Sequence, residues 1–281
     1  MRVFLAGATG VIGRRLLPLL LDGGHTVTAT SQSDEGAARL DAAGATGVRL
    51  DVFDRVAVAK AMRQAAPEAV IHQLTALSGG SSADNARIRR TGTRNLVDAA
   101  QAAGVPLMIA QSIAWAYEPG EVPATETDPL DTPAPEPRAT TVAAVQALED
   151  AVSEMPRHVV LRYGTLYGPG TWFVPGGPVE ARLRSGGLAA DDAVSSFVHV
   201  DDAAQAALAA LDWPSGAVNI CDDEPASAHT WVPLLAEALG APAPARATGG
   251  SGWERGAANA RARELGWRPA HPTWRTGFAA R

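Results

Sequence analysis

Three glycines near the amino terminus offer the clearest chemistry in the chain. Gly7, Gly10 and Gly13 are spaced G-x-x-G-x-x-G in the run Val3-Phe4-Leu5-Ala6-Gly7-Ala8-Thr9-Gly10-Val11-Ile12-Gly13. An apolar strand leads into the turn, and the apolar run Leu16-Leu17-Pro18-Leu19-Leu20-Leu21 leads out of it as a helix. Such a turn brings backbone N–H groups up to a pyrophosphate at a helix N-terminus, where the dipole favours negative charge. Gly7 is expected to make the tight turn, Gly10 to leave room for a phosphate, and Gly13 to let helix and strand pack closely. Thr9, Val11 and Ile12 lie in the same loop, and Arg14 follows it, so these too are candidate contacts to a dinucleotide. A glycine-rich turn without a ligand is the plain alternative, and the strand–turn–helix setting speaks against it.

The elements that must position this turn are legible further along. Strand-like runs at 26–30, 47–50, 69–72, 107–110, 159–162 and 217–220 alternate with alanine-rich helical stretches. That alternation predicts an α/β fold, a Rossmann-type doubly wound parallel sheet with ligands at the carboxyl ends of its strands. Residues 119–137, rich in Pro, Thr, Glu and Asp, are expected as a loop over the sheet edge, followed by a helix from about 140 to 153. Asp201-Asp202 reads as a capped helix start. The expected division is a dinucleotide-binding domain of residues 1–165 plus 197–221, and a small, discontinuous C-terminal substrate lobe of 166–196 plus 222–281.

Composition narrows the partners. A formal net charge of −6 favours neither nucleic acid nor an anionic membrane. The single cysteine, Cys221, rules out an internal disulfide and fits a reducing, cytoplasmic setting. No Cys/His cluster has zinc spacing, so no metal is expected, and the apolar run after Gly13 is too short to span a bilayer. The expected partner is a small-molecule substrate.

Several blocks together resemble the extended short-chain dehydrogenase/reductase family, also called the NAD-dependent epimerase/dehydratase family. Beside the glycine opening stand Leu161-Arg162-Tyr163-Gly164-Thr165-Leu166-Tyr167-Gly168-Pro169-Gly170 and Phe197-Val198-His199-Val200-Asp201-Asp202-Ala203-Ala204. Asn219-Ile220-Cys221-Asp222-Asp223-Glu224-Pro225 and Glu264-Leu265-Gly266-Trp267-Arg268-Pro269 complete the set, in the family's order over nearly the whole chain. The resemblance implies an NAD or NADP cofactor, with Asp51 and Val52 by the adenine, and Leu74, Thr75, Ala76, Tyr163 and Gly164 lining the dinucleotide. It also implies a homodimer as a common assembly.

The family's redox chemistry uses a Tyr and a Lys four residues apart on one helix, plus a Ser or Thr after the fifth strand. Tyrosine exchanges a proton with the substrate oxygen, and the ammonium lowers its pKa. This chain is an atypical member by that measure. Its one lysine, Lys60, lies before the fourth strand, and counting back from Glu149 puts Thr141 and Val145 at the dyad positions. Ser112, at or next to the Ser/Thr position, is then the candidate hydroxyl on the substrate, Tyr117 a replacement acid, and Thr141 the third catalytic candidate. Gln73, Trp115, Trp172 and His199 are candidate substrate contacts; Arg87, Arg89 and Arg90 are expected on a solvated helix face, and His72 in the sheet core. The second strand ends in Thr30-Ser31-Gln32-Ser33, with neither the acid that binds an NAD ribose nor an arginine; Ser31 and Gln32 are candidate cofactor contacts, and Arg14 and Arg15, placed to meet a 2′-phosphate, favour NADP over NAD.

Three readings follow: an NAD(P)-binding oxidoreductase-like enzyme on a small organic substrate with a non-standard acid/base set; a non-redox isomerase, cyclase or lyase on the same scaffold; and a dinucleotide-sensing protein without turnover. The glycine turn argues for a nucleotide site, while the missing dyad argues against ordinary carbonyl–alcohol exchange.

Overall fold

A computed structural model describes residues 1–76 and 82–279. The first strand, β1 (Arg2–Ala6), is followed by α1 (Gly13–Asp22), β2 (Thr26–Ser31), α2 (Asp34–Ala42), β3 (Thr46–Arg49), α3 (Arg55–Ala65) and β4 (Ala69–His72). Then come α4 (Ser82–Arg87), one π-helical turn (Ile88–Gly92), α5 (Thr93–Ala102), β5 (Leu107–Ile113), α6 (Arg138–Ser153) and β6 (Arg157–Tyr163). The remainder holds β7 (Thr165–Tyr167), α7 (Pro178–Arg184), β8 (Val194–Ser195), β9 (Phe197–His199), α8 (Val200–Ala209) and β10 (Gly216–Ile220). It ends in β11 (Ala226–Ser227), α9 (Ala228–Ala238), α10 (Ala260–Glu264) and α11 (Trp274–Ala279).

Seven strands form one sheet in the order β10-β6-β5-β4-β1-β2-β3. The pairings of β1 with β2 and β4, of β2 with β3, and of β4 with β5 are parallel, with Val3 in register with both Val27 and Ala69. This is the Rossmann-type α/β core, with further C-terminal helices and strands forming a smaller lobe. The order reverses between β1 and β4, which opens a crevice at the carboxyl ends of those two strands. Central strands covered on both faces read as unbroken apolar runs. Val3 to Ala6 and Ala69 to His72 are accordingly all buried.

The chain forms two compact units, Met1–Ser112 with Thr132–Leu161 and Ala204–Ala217, and Ile113–Asp131 with Arg162–Ala203 and Val218–Arg281. In the first, Phe4, Val70 and Met108 of the sheet pack with Leu96, Val97, Leu148 and Val152 of α5 and α6. In the second, Tyr167, Phe197, Trp231 and Trp274 form an aromatic core, with Phe197 edge-on to Trp231 at 5.4 Å between ring centroids. No helix among the described residues is long and apolar enough to cross a membrane.

Two local expectations are corrected. The fifth strand runs on to Ile113, so Ser112 lies within it rather than after it. Its polar end is sustained by side-chain bonds: Gln111 Nε2 donates to the Leu74 carbonyl at 2.8 Å, and Ser112 donates to Glu149 at 2.7 Å. Arg89 does not sit on a solvated face; it is only 6% exposed. The wider π turn changes which side chains face inward, and Glu149 supplies a countercharge.

Candidate active site

The glycine turn takes the shape its spacing requires. Gly7 has φ +90°, a region L side chains rarely adopt, and a Cβ there would lie 2.8 Å from the Gln73 carbonyl carbon at the end of β4. A Cβ on Gly13 would lie 2.2 Å from the Gly7 oxygen, so Gly13 is what lets α1 close onto the turn. Gly10 differs. It is exposed, and an added Cβ would meet only the Gly7 oxygen, at 3.3 Å. The protein's own packing hardly needs a glycine there, and the open space in front of it is what a phosphate group requires. Gly10 N–H closes the turn on Gly7 O at 3.1 Å, and α1 begins just beyond, where helix-start amides lack intrahelical acceptors. Thr9 and Val11 are half-buried, Ile12 is buried, Arg14 is exposed, and Arg15 Nη1 folds back on the Val11 carbonyl at 3.2 Å. The turn therefore fits a dinucleotide.

Beside it, β2 ends at the buried Ser31, Gln32 is exposed, and Ser33 caps α2 by accepting from Gly36 N–H at 3.1 Å. The first acid, Asp34, is bound to Arg49 at 2.9 Å. Arg49 stands in register with Ser31 on the neighbouring strand. Sequence reading missed this arginine, because only the strand pairing brings it to that end of β2. Exposed Asp51 accepts from Phe53 N–H at 2.9 Å, and buried Val52 offers its carbonyl to Asn95 Nδ2 at 2.9 Å. After β4, Gln73 is buried, Leu74 N–H donates to His72 Nδ1 at 3.2 Å, Thr75 is exposed, and Ala76 N–H donates to Asn85 Oδ1 at 3.3 Å. His72 is fully buried with Nε2 3.0 Å from the Thr93 hydroxyl. Burial, helped by the positive charge of Arg89, pushes its pKa down to about 4, so it is neutral at pH 7.

At the carboxyl end of β5, Ser112 is 3% exposed and its hydroxyl is spent on Glu149 Oε1. Desolvation lowers the Arg89 pKa to about 10, and Glu149 partly restores it. Arg89, Glu149 and Ser112 thus bring together a buried cation, its partner carboxylate and a hydroxyl. Thr141 is half-buried and Val145 fully buried, and Thr141, Val145 and Glu149 follow one another at intervals of four along α6.

The second unit holds the other candidates. Tyr117 is 1% exposed; its hydroxyl donates to Asn219 Oδ1 at 2.6 Å and accepts from Arg162 Nη1 at 2.8 Å. Tyr163 is buried with its hydroxyl 3.3 Å from the Ala203 carbonyl, and Gly164 N–H donates to Ile220 O at 3.0 Å. Trp172 is exposed; His199 is buried and stacked on His271 at 3.8 Å between centroids. His199, Asp201 and His271 each bring one potential ligand atom within 4.8 Å of the others, and the two imidazoles are tilted 32° to each other. Trp115 and Trp253, with centroids 6.4 Å apart, line a cavity of about 280 Å³. Trp253 was not legible as a site residue, because nothing in its local sequence distinguishes it from a core tryptophan.

Comparison with known proteins follows from this geometry. Residues 3–221 match the NAD dependent epimerase/dehydratase family. The chain is 44% identical over 99% of its length, and 99% of the relative's, to a 3-diazoavenalumate denitrifying reductase of a Streptomyces species. Among solved structures it resembles the Thermus thermophilus UDP-glucose 4-epimerase in complex with NAD, at 25% identity, TM-score 0.76, covering 99% of this chain and 97% of that one. The Bordetella bronchiseptica enzyme WbmG, solved with NAD and UDP, shares the fold at 23% identity and TM-score 0.79, covering 99% of this chain and 92% of that one. With its glycine turn, strand order and full-length kinship in agreement, the chain belongs to the NAD dependent epimerase/dehydratase family.

Proposed function

We propose that this chain is an NAD(P)H-dependent reductase that removes the diazo group from a small aromatic acid and leaves hydrogen in its place. The observation that carries this reading is the 44% identity across the whole of both chains to a denitrifying reductase of a diazo acid. The residues at the expected proton-relay positions agree with it. Thr141 and Val145 stand where the family's Tyr and Lys are expected, and Val145 is fully buried. A dihydronicotinamide bound there would supply the hydride: a C–H bond would form as the C–N bond breaks, dinitrogen would leave with the C–N electron pair, and the hydride donor would be left oxidised. The hydride transfer itself moves no proton to or from oxygen, and a neighbouring phenolate takes its proton from water after dinitrogen has left, so a site without a tyrosine acid suits it.

The chain's own residues then bind and orient. Gly7, Thr9, Gly10, Val11, Ile12 and Gly13 would hold the pyrophosphate, with Asp51 and Val52 at the adenine and Leu74, Thr75 and Ala76 along the rest of the dinucleotide. Ser112 is a positioning residue that ties β5 to α6 through Glu149. Tyr117 is held by Asn219 and Arg162 and braces its loop. NADP is favoured over NAD: β2 ends without an acid, and Arg49 lies in register with Ser31, where a 2′-phosphate competes with Asp34 for its guanidinium.

The test uses NADPH deuterated at C4 with an ortho-diazo phenolic acid. Dinitrogen release with deuterium on the arene carbon is expected, and Arg49→Ala should raise the NADPH Kd at least threefold while leaving NADH unaffected. Dinitrogen without deuterium transfer, or no turnover with either nucleotide, overturns the reading. A nucleotide-sugar reaction is the second reading, favoured by the epimerase fold relatives. Interconversion of UDP-glucose by the purified protein would establish it instead.

A further inference from the structure

The cavity between Trp115 and Trp253 is lined entirely by residues of the second unit. Its lining residues include the two tryptophans with Thr165, Ser195, Ser196 and Glu254, and no Lys or Arg is among them. The neighbouring arginine, Arg255, is committed elsewhere: Nη2 pairs with Asp128 at 3.2 Å and Nη1 donates to the Val122 carbonyl at 3.1 Å. A diphosphate needs cations or clustered N–H donors to replace its water. The one ionisable residue in this lining, Glu254, is an acid. Its volume of about 280 Å³ also falls below the roughly 300–1,000 Å³ of sites that hold drug-sized ligands.

The indoles are tilted 42° to each other, forming a V rather than a closed sandwich. A planar ring stacks on one face and meets the edge of the other, both favourable aromatic geometries. Trp115 is 40% exposed, so it leaves apolar ring surface for such a partner to cover. Indole is also the best side chain for a cation over its face. Glu254 is fixed by a bond from Ser251 N–H at 2.7 Å, and Ser251 in turn accepts Glu254 N–H at 2.8 Å, so its carboxylate is a pre-positioned charge.

We infer that the Trp115–Trp253 cavity is a subsite for a planar, electron-poor or cationic aromatic ring, selected by two indole faces and the Glu254 carboxylate, and that it discriminates against nucleotide diphosphates. This deepens the reductase reading and rests on it for the identity of the natural ligand, since a diazo group places formal positive charge on the ring substituent. The selectivity itself is a property of the cavity and is measured without turnover.

The experiment is calorimetry on the NADP-loaded protein with two unreactive probes, an N-methylquinolinium ion and UDP-glucose. The quinolinium ion should bind and UDP-glucose should not. Trp253→Ala and Glu254→Gln should each weaken quinolinium binding about tenfold, and Trp253→Phe, which keeps an aromatic face, less than about threefold. Circular dichroism and melting of each variant guard against misfolding, and Glu254→Gln keeps the test decisive if the alanine variant does not fold. Tighter binding of UDP-glucose than of quinolinium, no quinolinium binding, or equal quinolinium binding by Trp253→Phe and Glu254→Gln variants that melt as the parent does and by the parent overturns the inference. Quinolinium selectivity without diazo turnover would sink the proposed reaction and leave this inference standing. Diazo turnover without quinolinium selectivity would do the reverse.

Discussion

At position 145 the side chain is fully buried valine, on the same face of α6 as Thr141 and Glu149. An ammonium there has no water and needs a partner, and the nearby carboxylate of Glu149 already answers Ser112 and the buried Arg89. Val145→Lys should therefore cost about 3–5 kcal/mol, the scale of an uncompensated buried charge. Urea denaturation checks this. If the variant is as stable as the parent, the site can take a charge and the absence of the dyad has no structural basis. The sequence shows that the lysine is missing but not what replaces the polarity of the region. Arg89 reads as one of three surface arginines until the π turn carries it inward, and a single-residue change of helical phase leaves no mark in composition.

At the scale of the element, the glycine turn separates folding from binding. Gly13 is crowded by backbone at 2.2 Å, whereas Gly10 meets a single oxygen at 3.3 Å and is otherwise open. Gly13→Ala should lower stability by about 1–3 kcal/mol or more, as overpacking does. Gly10→Ala should keep the melting temperature within a degree or so while weakening NADPH about tenfold, or 1.4 kcal/mol. Calorimetry and thermal melts on the same samples check both. Equal losses of binding and stability in the two variants would mean that Gly10 serves packing alone. The turn itself was readable from the spacing, because a strand–turn–helix with three glycines leaves little conformational choice. The end of β5 was not. Gln111 and Ser112 look like loop residues, but their side chains find partners in Leu74 O and Glu149, and the strand runs through them.

Across the whole molecule, a buried acid should govern how stability follows pH. Asp222 is 1% exposed; one oxygen accepts from Glu224 N–H at 3.2 Å, and the other has no hydrogen-bond partner among the described residues. Burial, with repulsion from Glu224 and Asp223, raises its pKa from 3.8 to about 8. The folded chain thus keeps a proton that the unfolded chain releases. Stability should fall as pH rises from about 4 to about 8, by at most about 1.4 kcal/mol per pH unit, and level off above. Asp222→Asn should flatten that slope, as chemical denaturation at pH 5, 7 and 9 would show. An unchanged slope in the variant would place the proton elsewhere. The family landmark around Asp222 was visible in the sequence, but its protonation was not, because it depends on residues from distant parts of the chain closing around one carboxyl.

The greasy stretch of α6 at Val145 has a consequence for metabolic economy. Cells are crowded with ketones and aldehydes, and under the proposed reaction an active centre without a proton donor for a nascent alkoxide would leave them untouched. Reducing equivalents would flow only to molecules carrying their own gaseous leaving group, so fidelity would arise from reactivity as much as from fit.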